Sequence, residues 1–219
     1  MSTEPSLCLQ PYLGRHGRDR QSEVLIPNTR EPLPSLFQAF LRAPRTIGAI
    51  ASSSPILAAR MVEYASPQQG HCIVEIGAGQ GPMTAALVDK GHTPDLVFEV
   101  QPSLAGALTA RFPDLTVVQD SAARLPTILS THGLQQADRI VSSLPWAIWS
   151  DALQDSILTG VTQGMAADGR MVTFTYVHGR WLPGARRFFR KLESRFDRVT
   201  VSPVIWKNLP PAVVYVCDR

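Results

Sequence analysis

The sequence predicts a doubly wound α/β fold, a mostly parallel seven-stranded sheet with helices on both faces, preceded by a helical N-terminal lid. Three observations predict it. The run Cys72-Ile-Val-Glu-Ile-Gly-Ala-Gly-Gln-Gly81 reads as a short buried strand ended by a glycine turn, and a helical pattern follows from Pro82. Downstream, short apolar runs alternate with helical stretches, which implies parallel strands with crossover helices. Near the C-terminus, Asp197–Val201 and Val213–Cys217 alternate or run apolar, close enough in sequence to pair as an antiparallel ending.

Taken in order, residues 1–34 hold five prolines and little periodicity, and read as an irregular arm. Ser35-Leu-Phe-Gln-Ala-Phe-Leu41 has apolar residues at helical spacing with Ser35 as a cap, and a second helix is expected from Pro55 to Ala65. Residues 35–66 are therefore assigned to a lid and 67–219 to the α/β domain. Strands are expected at 72–76, 95–100, 115–119, 138–143 and 170–176, then in the two C-terminal runs. Helices are expected at 82–90, 102–111, 122–131, 149–165 and 184–196. Prolines 82 and 102 suit first helical turns, where a missing N–H costs nothing.

The glycine spacing argues which ligand the turn receives. A dinucleotide fingerprint reads G-x-G-x-x-G. Here Gly77, Gly79 and Gly81 alternate, Pro82 stands where the third glycine would fall, and the strand carries Glu75. A pyrophosphate favours bare N–H groups without a nearby carboxylate. Glu75 instead suits a ligand bearing a positive amino group. The bland alternative is an ordinary glycine loop after a core strand.

Strand tips supply further candidates, because ligands in such sheets bind beyond the C-terminal ends of the strands. Leu96-Val-Phe-Glu99 ends in an acid 24 positions past Glu75, suited to ribose hydroxyls. Asp120 and Ser121 tip the third strand, and Asp120 could equally cap the next helix. The fourth strand runs into Ser142-Ser143-Leu144-Pro145-Trp146. Proline fixes that turn, and Trp146 can offer a π face to a cation or an acceptor, with core packing as its alternative and as the preferred reading for Trp149.

The chain has 219 residues, 44% of them hydrophobic, and a formal charge of +3. It holds no apolar run of 18 residues, and its N-terminus lacks a signal-peptide layout. Cys8, Cys72 and Cys217 are far apart, no metal-ligand spacing appears, and a reducing cytoplasm fits. Basic residues cluster at Arg15–Arg20 and again at Arg186, Arg187, Arg190, Lys191, Arg195 and Arg198 on an expected helix. They are either a solvated face or a surface for an anionic partner, including peripheral contact with an anionic inner membrane.

The glycine run resembles motif I of class I S-adenosylmethionine (SAM) methyltransferases, a Rossmann-like fold whose ligand carries an ammonium and a sulfonium. Ser-Ser-Leu-Pro-Trp146 resembles the loop of methyltransferases acting on amine nitrogen, with serines where the adenine methylases of nucleic acid have an asparagine. Three further segments, Phe40–Pro55, Phe174-Thr-Tyr176 and Val204–Ala212, extend the likeness. Over about residues 36–219 the chain resembles the bacterial phospholipid N-methyltransferase family. In that family a leading amphipathic helix touches the membrane, and the acceptor is the amino head group of phosphatidylethanolamine or a related lipid.

The resemblance implies SAM as cofactor, held by Ser53, Ser54, Glu75, Gly77, Gly79, Gly81, Glu99, Asp120 and Ser121. It implies an acceptor side formed by Ser143, Leu144, Pro145 and Asn208. Ser142, Trp146 and Tyr176 become the candidate catalytic residues. His178, close behind Tyr176, is the base with a suitable intrinsic pKa, or simply a loop residue. Lipid or small-amine N-methylation is the leading expectation. The rival enzyme on the same frame folds SAM back so that its own amine closes an azetidine-2-carboxylate ring and expels methylthioadenosine. A non-enzymatic SAM-binding regulator is the third reading, and a nucleic-acid acceptor is not expected.

Overall fold

The computed structural model describes residues 54–219. The arm, the helix at 35–41, the Phe40–Ser53 segment and the position of Ser53 lie outside the described residues.

Helix α1 (Pro55–Ala65) opens at Ser54, whose hydroxyl accepts from the Leu57 amide at 3.2 Å. That capping bond satisfies one of the free amides of the first turn. Strand β1 (Ile73–Ile76) is buried along its whole length, as expected of a central parallel strand. Helix α2 (Pro82–Asp89), β2 (Leu96–Phe98), α3 (Pro102–Arg111) and β3 (Val117–Val118) follow. The single helix expected at 122–131 is a 3-10 turn (Ala122–Arg124) running into α4 (Leu125–Thr131), since Pro126 cannot donate within a continuous α-helix.

Strand β4 (Ala137–Ser142) leads through a 3-10 turn (Trp146–Ile148) to α5 (Asp151–Gly164). Strand β5 spans Met165–Tyr176, five residues earlier than the sequence pattern suggests. Met165 pairs with Ala137, and a register irregularity then carries the strand to Arg170 opposite Arg139. Such a bulge hides a strand start from any alternation test. A further 3-10 turn (Val177–Trp181) precedes α6 (Pro183–Glu193), and the chain closes with β6 (Arg198–Val201) and β7 (Ala212–Asp218). Helices α1, α2, α3 and α6 all place proline in the first turn, where its fixed φ costs nothing.

The seven strands lie in the order β3-β2-β1-β4-β5-β7-β6. All neighbours are parallel except β7, which runs antiparallel to both β5 and β6. This is the doubly wound sheet the sequence predicts. Order reverses between β1 and β4, which creates the crevice where such sheets bind ligands. Because Ala212 opens β7 opposite Tyr176, which ends β5, the β6–β7 loop returns to that same edge. On one face, Leu57, Met61, Met83 and Leu87 pack on Val141, Val172, Val214 and Val216. Thr173 and Tyr215 point to the other face, where Trp146 and Phe189 lie against them.

Cys217 is buried and Cys72 half-buried, and burial pushes both thiols up, that of Cys72 to about 12. Neither is poised as a nucleophile. Among the described residues, no helix is long and apolar enough to cross a membrane.

Candidate functional site

Three glycines build the first wall. Gly77, Gly79 and Gly81 all sit at positive φ, at 75°, 59° and 81°. They differ in what a side chain would meet. A Cβ on Gly77 would strike Leu144, and one on Gly81 would press on Leu108 and Phe112. Among the described residues, a Cβ on Gly79 would meet nothing within 4 Å. Gly77 and Gly81 are thus small for the protein's own packing. Gly79 borders open space at the mouth of the crevice.

Two carboxylates fix this loop. Glu99 accepts from the Gly79 amide at 2.8 Å through one oxygen and from the Gln101 amide at 2.9 Å through the other. Lone pairs remain on both oxygens for further donors. Glu75 is fully buried, and its Oε2 accepts from the Thr84 hydroxyl at 2.7 Å. Its Oε1 is buried without a partner among the described residues, and desolvation pushes the carboxyl up to about 7. An unpaired buried carboxylate oxygen costs folding free energy, on the order of 1–3 kcal/mol or more, and so calls for a donor.

The β4 tip forms the second wall. Ser143 donates its amide to Ile76 O at 3.0 Å, tying the two loops together, while its buried hydroxyl has no partner among the described residues. Leu144 lies against Gly77. Trp146 turns inward instead of offering an open π face. It is 2% exposed and stacks on Phe188 with centroids 4.5 Å apart. Its Nε1 donates to Ser142 Oγ and Thr173 Oγ1, both at 3.1 Å. The physical reason is the 3-10 turn after Pro145, which tucks the indole under the strand end where two hydroxyls receive its N–H. Trp149 is also buried, in edge contact with Trp146 at 5.4 Å.

The rim is assembled from distant segments. Ser54 Oγ donates to Asn208 Oδ1 at 2.5 Å, and Asn208 Nδ2 donates to Pro210 O at 2.6 Å. Tyr176 ends β5 half-buried, with exposed His178 stacked on it at 5.8 Å. Burial raises the Tyr176 hydroxyl, which keeps it a neutral donor. Asp120 turns to Arg124 at 2.6 Å and to the Ser121 amide at 2.6 Å, and it is Ser121 that caps the 3-10 turn.

No family model matches the sequence. The chain is 34% identical over 186 residues to an ornithine lipid N-methyltransferase of Singulisphaera acidiphila, spanning 81% of this chain and 91% of that protein. The chain belongs to the SAM-dependent methyltransferase family that includes this lipid N-methyltransferase. A ribosomal RNA small subunit methyltransferase A of Leptothrix cholodnii is 32% identical over 94 residues, 43% of this chain and 34% of that one. Among solved structures, a glycopeptide N-methyltransferase complexed with sinefungin superposes with a TM-score of 0.61 at 13% identity, over 78% of this chain and 97% of that one. A TehB-like SAM-dependent methyltransferase of Corynebacterium glutamicum gives 0.53 at 20% identity, over 83% and 95%. These two share the fold.

Membership in this family makes the protein a methyltransferase with SAM as donor. The crevice fits such a ligand on its own terms. Glu75 Oε1 lacks a donor that an ammonium would supply, and the space beside Gly79 is free. Sequence reasoning missed Thr84, which holds Glu75, and Thr173, which holds Trp146. Thr84 carries a weak signal, a hydroxyl among the apolar residues of a first helical turn. Thr173 carries none, since a threonine within a strand is commonplace.

Proposed function

We infer that the protein transfers the methyl group of SAM to the amine nitrogen of an amphiphile, a lipid with an amino head group. The similarity to a lipid N-methyltransferase along 81% of the chain carries this reading. The surface supports it. Ile148, Trp181, Leu182, Trp206 and Leu209 are exposed, and all belong to segments that leave β4 or β5 or join β6 to β7. Exposed large apolar groups concentrated on one edge mark an apolar partner.

Bound in the crevice, SAM supplies an electrophilic methyl on a sulfonium. Glu75 is assigned to the donor's ammonium, the Gly77–Gly81 turn to its main-chain approach and Glu99 to the ribose hydroxyls. Asp120 and Ser121 border the same end of the sheet. Ser142 acts through Trp146, whose indole props the loop that carries Ser143, Leu144 and Pro145. Those three face the acceptor nitrogen, with Tyr176 and Asn208 across the rim. Carbonyls of a proline-fixed turn and a neutral tyrosine hydroxyl orient a nitrogen lone pair without adding charge. Positioning and exclusion of water are the main catalytic resources for such a displacement. His178, stacked on Tyr176 at the rim, is the side chain available to take the amine proton to solvent.

Turnover separates this reading from its rivals. Purified protein is incubated with SAM plus total lipid extract, plus small amines, or alone. S-adenosylhomocysteine formed only with amine-bearing lipid is the expected result. Methylthioadenosine formed without any acceptor would replace methyl transfer by cyclisation of the donor. Tight SAM binding without either product would leave a regulator.

A further inference from the structure

Helix α6 and the residues just past its end carry two basic stripes with different fates. Arg187, Lys191 and Arg195 turn toward α5, where Asp151 and Asp155 pair with them at 2.7–2.9 Å. Arg186 and Arg190 lie on another face of the helix. Together with Arg180 they line a cavity of about 570 Å³ whose walls include Trp181, Phe189 and Tyr215. Among the described residues, none of these three arginines is in an ion pair with a carboxylate. Three guanidinium groups without a carboxylate partner around one concavity repel each other, a repulsion that a bound anion relieves.

The remaining walls are matched to an anion on an apolar body. The Arg186 guanidinium sits over the Trp181 ring at 5.5 Å, which holds its fork in place. Trp181 itself is 73% exposed. Phe189 packs on Tyr215 at 5.1 Å to make an aromatic floor. Tyr215 is buried, and the Arg180 guanidinium lies beside its hydroxyl. The cavity therefore offers cationic forks, a phenol and aromatic carbon, with no carboxylate among the described residues of its walls. It lies against β7, three strands from the glycine loop of β1.

We propose that this cavity is a binding site for an anionic amphiphile, with a phosphate or carboxylate held by Arg180, Arg186 and Arg190 and its apolar part lying along Trp181 and Phe189. The site goes beyond the acceptor reading and does not rest on it, because binding is measured with no methyl donor present.

The test is calorimetry on the full chain at low salt, with inorganic phosphate and with short-chain phosphatidylglycerol below its micelle concentration. Short-chain phosphatidylglycerol is expected to bind at least tenfold more tightly than phosphate. The Arg180→Gln/Arg190→Gln double variant is expected to lose at least tenfold for both probes. Trp181→Ala is expected to weaken the lipid and spare phosphate. Arg187→Gln, on the paired stripe, is the control that should change neither. Arg186→Gln serves as a second variant if the double variant melts early. Undiminished binding in folded Arg180→Gln/Arg190→Gln and Arg186→Gln proteins would overturn the site. Equal binding of an uncharged short-chain diacylglycerol would remove the anion requirement. Equal affinity for phosphate and phosphatidylglycerol would leave a free-anion site and overturn the amphiphile.

Discussion

Ser54 Oγ donates to Asn208 Oδ1 at 2.5 Å across 154 positions of sequence. The bond joins the first turn of α1 to the β6–β7 loop. It sits at the edge where the parallel strands end, since β7 begins opposite the last residue of β5. The hydroxyl that caps the helix through Leu57 is therefore also the clip that holds the loop.

Ser54→Ala should lose both functions. Thermal or urea unfolding is expected to show a loss of about 1 kcal/mol from the cap alone, and more from the clip. A double-mutant cycle with Asn208→Ala should return a coupling of about 0.5–3 kcal/mol, as for groups in direct contact. Strict additivity would mean that the two side chains do not support one another in solution.

Gly79→Ala should separate binding from folding. The new methyl meets no atom of the described residues within 4 Å, so its cost to the fold is the left-handed backbone, on the order of 1 kcal/mol. SAM affinity by calorimetry is expected to fall at least tenfold, the outcome that would put the ligand on this side of the loop. Gly81→Ala should show the opposite balance, a lower melting temperature from the push on Leu108 and Phe112.

Glu75 should give the ligand-free protein a pH signature. Burial lifts its carboxyl from 4.5 to about 7. Between those values the folded chain binds a proton that the unfolded chain has released. Stability from this group is thus greatest at the acid end and falls as pH rises to about 7, by about 3 kcal/mol at most. Glu75→Gln should remove that part of the slope in denaturant titrations run at several pH values. SAM affinity should rise with pH through about 7 in the parent and stay flat in the variant, because an ammonium favours the ionised carboxylate.

Trp146→Ala should act first on stability. It removes a stacked indole and strands the Ser142 and Thr173 hydroxyls, which predicts a loss of about 3–5 kcal/mol. Trp146→Phe keeps the stack and gives up the two hydrogen bonds, so its melting temperature should fall between the two. A Trp146→Ala protein that melts normally and has lost turnover would return the ring to the reacting centre.

Much of the frame was readable because local rules and the global fold agree. Alternating glycines after Val74-Glu75-Ile76 open the left-handed region at every second position, and the observed positive φ at all three uses that freedom. Boundaries were less visible. The start of β5 lies in Met165-Ala-Ala-Asp-Gly169, which has neither period, because a bulge rather than a pattern sets its register. Side-chain direction was hidden as well. Nothing within Ser-Leu-Pro-Trp146 says whether the indole faces the crevice or the sheet, because Thr173 and Phe188, which decide it, arrive from other elements. The basic helix likewise looked uniform until Asp151 and Asp155 took one stripe and left the other.

Glu99 grips the Gly79 amide with one oxygen and the Gln101 amide with the other. One side chain thereby acts as a spacer bar between consecutive loops, setting the width of the slot before any ligand arrives. The two loops cannot drift apart independently. A side chain shorter by a single methylene would have to release one of them, and a gauge built this way is spoiled by a change of length as surely as by a change of charge.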